Sequence, residues 1–159
     1  STEGIRTMTG LDHLEGCALA VLADGSPVEG CVVRKGGIEL PYAARIVHAG
    51  LPYASVLSPL PVEADTRQGS TLGRHRGHGR CVVRLFRSVG GQYGSSRRKL
   101  DDFPFLPARW GQPCEPYSGD VAFAPGGGHN ADASVWLVQS KPLPWHVVAI
   151  VCDVDFGEA

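Results

Sequence analysis

The chain has 159 residues, of which 43% are hydrophobic and 19% charged, and its formal net charge at pH 7 is −1. This balance excludes a wholly disordered chain and is typical of a globular protein. The longest apolar runs are far too short to cross a membrane, and no charged-then-apolar leader opens the chain. We therefore expect one domain over residues 10–156, an N-terminal arm over 1–9 and a C-terminal tail over 157–159, with no membrane-spanning segment and no signal peptide.

Glycine and proline usage indicates the fold class, and cysteine usage indicates the cellular compartment in which the chain folds. The 21 glycines and 12 prolines are spread without a fixed period, which favours many short strands and leaves little room for long helices. The five cysteines are odd in number and contain no Cys-x-x-Cys pair. Four of them lie in apolar runs, where free cysteine behaves as a small buried hydrophobe. We therefore predict free thiols and folding in a reducing cytoplasm.

The opening of the chain predicts a β-meander. Residues 10–25 indicate a compact loop, a short strand and a turn at Asp24-Gly25, because Asp-Gly between apolar runs is a hairpin signal. A returning strand is predicted over residues 30–34, then a glycine turn at 36–37 and a third strand that ends at Leu40.

Later strands are predicted wherever apolar runs stand between turn residues. Pro52 stands between the runs 44–49 and 54–57 and disfavours one uninterrupted central strand there, because proline cannot donate a ladder hydrogen bond. Residues 64–80 are polar and broken by glycine, and residues 95–117 form a long irregular section with four prolines, which we interpret as a contact surface. The predicted strands cover residues 44–49, 54–57, 59–63 (an edge strand), 81–88, 119–124, 135–139 and 145–156.

The expected fold is therefore all-β: a small barrel or sandwich of short antiparallel strands with long irregular loops. No segment fits a helical period of 3.6 residues, whereas the alternation of Asp153 and Asp155 with apolar residues is typical of a half-buried strand.

Charge is segregated along the chain. Residues 67–99 hold nine of the 15 basic side chains and no carboxylate, whereas both flanks are acidic. Such polarity favours oriented contact with a second copy or with a charged partner. The residues that we select as candidate contacts with a partner or with nucleic acid are Arg74, Arg76, Arg80, Arg97, Arg98 and Lys99.

Motifs of catalysis and ligation are weak. His75 and His78 are three residues apart, but the surrounding glycines disfavour the helix that would bring both to one metal ion. Neither Gly-x-Ser-x-Gly nor a phosphate-binding Gly-Lys motif occurs, and Gly126–Gly128 is typical of a flexible hairpin tip. We therefore predict no catalytic residue, no cofactor and no metal ligand, and a protein that is not an enzyme.

Four short motifs, taken in order, carry a family resemblance. They are Gly10–Gly16, Val21–Gly25, Val47–Tyr53 and Val83–Ser88. Together they resemble the distal part of the tail nozzle (tail tubular or stabilisation) proteins of short-tailed bacteriophages, whose relatives are often labelled as carrying a domain like the first catalytic-cysteine half-domain of ubiquitin-activating enzymes. Phe123 to Val154 looks like the end of the same region, so the resemblance covers roughly residues 8–156.

The resemblance implies a non-enzymatic, β-rich structural protein of the virion tail, folded in the host cytoplasm. It implies a ring of copies around the DNA exit channel, with contacts to an adaptor or hub protein, to fibres or spikes and in passing to DNA. The label taken from ubiquitin activation implies no activity, because a likeness of fold does not supply a site.

Two alternatives remain open on the sequence alone. One is a nucleic-acid-binding β-module that uses the basic residues of 67–99, although no aromatic side chains for base stacking stand among the arginines of residues 73–80. The other is a receptor-binding or glycan-binding tail component that uses Tyr93, Trp110 and Tyr117.

Overall fold

The computed structural model describes residues 3–63, 65–66, 69–71, 74–105, 113–128 and 133–157. Their regular structure is almost entirely β, which confirms the predicted all-β class; the helical part is a single 3-10 turn at Asp12–Leu14. In these ranges no helix has the length and apolar character needed to span a membrane.

The described residues form fourteen strands. They are β1 (Ile5–Thr9), β2 (Ala20–Ala23), β3 (Ser26–Val28), β4 (Gly37–Ala44), β5 (Val47–Gly50), β6 (Ser55–Leu57), β7 (Asp65–Thr66), β8 (Gly69–Ser70), β9 (Arg76–Ser88), β10 (Gln92–Ser96), β11 (Lys99–Asp102), β12 (Tyr117–Phe123), β13 (Trp136–Gln139) and β14 (Val147–Phe156). They form five antiparallel sheets, with the strand orders β1-β4, β3-β2-β5, β11-β10-β13-β6, β12-β9-β14 and β7-β8.

The chain divides into two compact units. Unit 1 comprises the described parts of Ser1–Ala54, Phe105–Glu115 and Ser140–Pro144, and unit 2 comprises those of Ser55–Pro104, Pro116–Gln139 and Trp145–Ala159. That both units belong to one domain over residues 10–156 stays a prediction.

Unit 1 has an aliphatic core. The buried side chains come from the opening loop, from β2 to β4 and from the segment between β3 and β4, and none of them is aromatic. They are Leu11, Leu19, Val21, Ala23, Val28, Cys31, Val33, Ile38, Leu40 and Ala44.

The predicted turn at Asp24-Gly25 is present and explains the β2–β3 hairpin. Both residues have positive φ, 47° and 82°, as a two-residue turn of type I′ requires, and Ala23 then pairs with Ser26. The Asp24 carboxylate accepts hydrogen bonds from the backbone N–H groups of Arg45 at 3.0 Å and Ile46 at 2.8 Å. This residue therefore joins the hairpin to the start of β5.

One detail of the predicted meander is wrong. The strand that returns after Asp24-Gly25 is Ser26–Val28, because the tight turn pairs it with β2 at once; in residues 30–34, Val32 and Arg34 make only isolated bridges. Within the segment predicted as an N-terminal arm, residues 5–9 form β1, which pairs with β4. The β1–β4 pairing is not visible in an alternation pattern, since β1 is almost wholly exposed.

Unit 2 has an aromatic core beside a long sheet. Ring centroids of Tyr93, Phe103 and Phe123 lie 4.8 to 5.5 Å apart, and Trp145 lies 5.5 Å from Phe103. The indole also covers Gly91, where an added Cβ would overlap its ring atoms. The rings pack in tilted and edge-to-face arrangements, which aromatic pairs prefer.

Three further boundaries in unit 2 differ from the predictions. Residues 59–63 form no strand, since Pro59 and Pro61 cannot donate to a ladder. Strand β9 begins at Arg76, five residues before its predicted start, because β14 pairs with it as far as Phe156↔Arg76. The predicted irregular section 95–117 contains β11 and the ends of β10 and β12, while its residues 106–112 lie outside the described residues.

Candidate interaction surface and cysteine–histidine cluster

One face of the β12-β9-β14 sheet is buried and the other is open. On β9, Cys81, Val83 and Leu85 are buried, whereas the alternate residues Arg84 and Phe86 point outward. On β14, Val148 and Val151 are also outward, so that Phe86, Val148 and Val151 are 55%, 62% and 66% exposed. Exposed apolar side chains grouped on one sheet face are typical of a protein interaction surface. We call this set the open face: Val82, Arg84, Phe86, Asp120, Val148 and Val151.

A bidentate ion pair lies in the middle of the open face. Arg84 and Asp120 are cross-strand partners, and the guanidinium donates from Nε to Oδ1 at 2.7 Å and from its second terminal nitrogen to Oδ2 at 2.8 Å. The hydrogen bond from Arg84 lowers the pKa of Asp120, and the same bond raises the pKa of Arg84. Both groups are exposed, so the pair orients the surface more than it stabilises the fold.

The six basic residues selected from the sequence do not form one surface. Arg74 lies just before β9, and Arg76 and Arg80 lie in its N-terminal half. Arg97, Arg98 and Lys99 lie at the turn between β10 and β11, in a different sheet. The fold also brings acidic residues of the C-terminal flank beside the first group: Asp153 and Asp155 of β14 lie next to Gly79. Segregation of charge along the sequence is therefore not preserved in space.

Arg76 is an interior residue. Its side chain is 3% exposed, and one terminal nitrogen donates to the carbonyl oxygen of Val62 at 2.7 Å. Arg76 therefore exposes little surface to a partner, and its role as a contact residue stays a prediction. Arg80, Arg97, Arg98 and Lys99 are exposed, and Arg74 is half-buried.

The aromatic residues of the glycan alternative are also separated. Tyr93 packs in the aromatic core at 4.8 Å from Phe103, so its ring does not form an exposed platform. Tyr117 is 39% exposed, and its hydroxyl donates to the carbonyl oxygen of Asp120 at 3.2 Å. Trp110 lies outside the described residues.

Two cysteines are paired, contrary to the prediction of free thiols. Cys81 of β9 and Cys152 of β14 face each other in register, with their Cα atoms 4.0 Å apart, and form a disulfide; Cys17, Cys31 and Cys114 are free. The sequence could not show this pairing because the two residues are 71 positions apart and the register of β14 is set by tertiary structure. Burial raises the pKa of the Cys31 thiol.

His78 stands beside this cysteine pair. The nearest atoms of His78, Cys81 and Cys152 that can bind a metal ion all lie within 4.8 Å of one another. His75, its suggested partner, lies just before β9 and outside this cluster. A cavity of about 100 Å³ adjoins the cluster and is lined by His78, Cys152, Ile150 and Ala133, among other residues.

The Nδ1 atom of His78 is buried and has no hydrogen-bond partner among the described residues. Its Nε2 atom lies 3.2 Å from the carbonyl oxygen of Ala133. A buried ring nitrogen without a partner calls for an explanation, because buried polar atoms in folded proteins are nearly always paired.

Comparison with known proteins adds no assignment: no protein-family model matches the chain, and no curated protein matches it significantly.

Proposed function

We propose that the chain is a non-enzymatic structural component of a bacteriophage virion, a tail nozzle or hub-type protein whose copies form a ring and contact neighbouring tail proteins. The observation that carries this proposal is the open face of the β12-β9-β14 sheet. Its exposed Phe86, Val148 and Val151 flank the Arg84–Asp120 pair, which combines apolar area with a fixed charge pattern. Association buries such area, and the charges select orientation.

The residues of the resembling motifs support a structural role. In Gly10–Gly16, the Glu15 carboxylate accepts hydrogen bonds from the backbone N–H groups of Lys35 at 2.9 Å and Gly36 at 2.8 Å. In Val21–Gly25, Asp24 anchors the start of β5 in the same way. Both carboxylates hold loops in place, as a rigid building unit of an assembly requires.

The proposed partners are further copies of the chain, an adaptor or hub protein, and fibres or spikes. The exposed Arg97, Arg98 and Lys99 at the β10–β11 turn are the basic residues best placed for passing contact with DNA, because all three are accessible at a hairpin tip.

Location in the particle is the first test. Peptide mass spectrometry of phage particles purified from the source of the sequence should detect the chain in several copies per particle, and immunogold labelling should place it at the tail. A particle preparation that contains the other tail proteins but lacks this chain contradicts the proposal.

The open face is tested by one substitution and a matched control. Val151→Lys places a charge within the apolar area and should abolish incorporation of the chain into particles, because an unpaired charge at an interface is costly. Ile46→Lys makes the same change at a residue that is 61% exposed in unit 1 and should leave incorporation unchanged. Equal incorporation of both variants means that the open face is not the interface.

A further inference from the structure

The cysteine–histidine cluster has the composition and spacing of a metal site in its reduced form. We propose that, once the Cys81–Cys152 disulfide is reduced, the two thiolates and Nδ1 of His78 bind one thiophilic divalent cation of the Zn²⁺ class. This proposal is independent of the proposed virion role. It starts from the two sulfur atoms and a ring nitrogen of His78, which lie within 4.8 Å of one another on two paired strands.

The orientation of His78 assigns the ligand atom. With Nε2 protonated, the ring donates to the carbonyl oxygen of Ala133 at 3.2 Å, and the lone pair of Nδ1 is left without a partner in the described part of the chain. A metal-binding histidine commonly donates its other N–H to a backbone carbonyl, which fixes both the tautomer and the ring plane. A bound cation would therefore account for the unpaired atom.

The chemistry of the ligands selects the cation. Thiolate sulfur and imidazole nitrogen favour Zn²⁺ and disfavour Mg²⁺ and Ca²⁺, which prefer oxygen ligands. Tetrahedral Zn²⁺ with these ligands needs them about 3.5–3.8 Å apart, given Zn–S and Zn–N bonds of about 2.3 and 2.0 Å. The observed limit of 4.8 Å is close enough for side-chain rotation to reach that geometry.

The adjoining cavity supplies the fourth coordination position and the route of entry. Both His78 and Cys152 line it, and its volume of about 100 Å³ exceeds the space that one water molecule occupies. Cys81 is fully buried, so Cys152 is the sulfur that a reductant reaches first.

The redox step requires a thiol reductant. Its thiolate attacks Sγ of Cys152, the Cys81–Cys152 bond breaks, and a second thiol of the reductant displaces the mixed disulfide. The chain gains two electrons and two protons, and the dithiol is oxidised to a disulfide. Binding of Zn²⁺ then releases the two thiol protons to solvent, and two thiolates with one neutral imidazole leave the site without net charge.

Cobalt titration is the direct experiment. The chain, reduced under anaerobic conditions with a dithiol and freed of it, should bind one Co²⁺ per chain with an intense thiolate-to-cobalt absorption band, and excess Zn²⁺ should bleach that band. The oxidised chain should show no band. If the reduced chain shows none either, or if the oxidised chain gives the same band, the proposal is wrong.

Variants separate this cluster from the free thiols. Cys152→Ser should abolish the band, and His78→Gln should weaken Co²⁺ binding at least tenfold, because glutamine can still donate to Ala133 but offers no ring nitrogen. Cys17→Ser alters a half-buried free thiol and should bind like the unmodified chain. A band that persists in Cys152→Ser, or unchanged affinity in His78→Gln, overturns the assignment. Far-ultraviolet circular dichroism of each reduced variant checks that its β structure is retained.

Discussion

The two units of the chain are stabilised in different ways. Unit 1 packs short aliphatic side chains and joins its loops through Glu15 and Asp24, whose carboxylates accept backbone N–H groups. Unit 2 packs aromatic rings, and its longest strands are joined by a disulfide. Three of the four resembling motifs lie in unit 1, whereas the open face and the cysteine–histidine cluster lie in unit 2. Local backbone geometry is thus encoded in short motifs, whereas the open face and the cysteine–histidine cluster arise from long-range strand pairing.

The largest expected effect comes from the disulfide, which should stabilise unit 2 more than unit 1. Cys81 and Cys152 close a loop of 71 residues, for which loss of chain entropy in the unfolded state predicts about 4 kcal/mol. Urea denaturation with and without a phosphine reductant, both with a metal chelator, measures the change in the free energy of unfolding. Reduction of the disulfide should accelerate amide hydrogen exchange more in β9 and β14 than in β2 and β5. Acceleration confined to β2 and β5 would show that the disulfide does not stabilise unit 2 preferentially.

Truncation of one leucine in each unit compares the two cores directly. Leu85→Ala in unit 2 and Leu40→Ala in unit 1 remove side chains that are 2% and 3% exposed, and each should lower the free energy of unfolding by about 2–5 kcal/mol. Val148→Ala, at a side chain that is 62% exposed, is the control and should change it by less than about 0.5 kcal/mol. Chemical denaturation measures all three. A negligible effect at either leucine would show that the corresponding core is not packed as described.

The smallest effect concerns the acid sensitivity of unit 1. Hydrogen bonds from the backbone N–H groups of Ile46 and Arg45 lower the pKa of Asp24 in the folded chain. Its contribution is therefore fully present above the pKa of an unfolded aspartate and is lost as the pH falls through the lower folded value. Asp24→Asn should lower stability at neutral pH and flatten the decline in acid, as measured by thermal melts across pH.

Glu39→Gln provides the control for that titration. It removes one negative charge from an exposed position on β4, also in unit 1, and should leave the acid decline as in the unmodified chain. If Asp24→Asn and Glu39→Gln give the same profile, general charge and not the Asp24 hydrogen bonds controls the acid response.

Much of the fold was predictable from local signals. Asp24-Gly25 turns as expected because its positive φ values suit those residues, and the apolar run over residues 81–88 forms the C-terminal part of β9. Strand pairing could not be predicted from local patterns: β1 is almost wholly exposed, and yet it pairs with β4 in a sheet. Arginine composition likewise did not reveal that Arg76 turns inward to the carbonyl of Val62.

The cysteine–histidine cluster was only partly visible in the sequence. The sequence pairs His78 only with His75, because the two are close along the chain. The residues that actually adjoin it belong to positions 81 and 152, which the β9–β14 register brings together. Metal ligands on neighbouring strands have no fixed sequence spacing, so spacing rules based on helices do not find them.

The contact between Gly91 and Trp145 bears on which sequences this fold can accept. The indole lies where any larger residue at position 91 would place its first side-chain carbon, and the positive φ of 90° further disfavours such a residue. A larger residue at position 91 therefore requires a change of the tryptophan as well. Glycine therefore serves two purposes in this chain: it allows close packing at positions such as 91, and it adopts the positive φ that turns require.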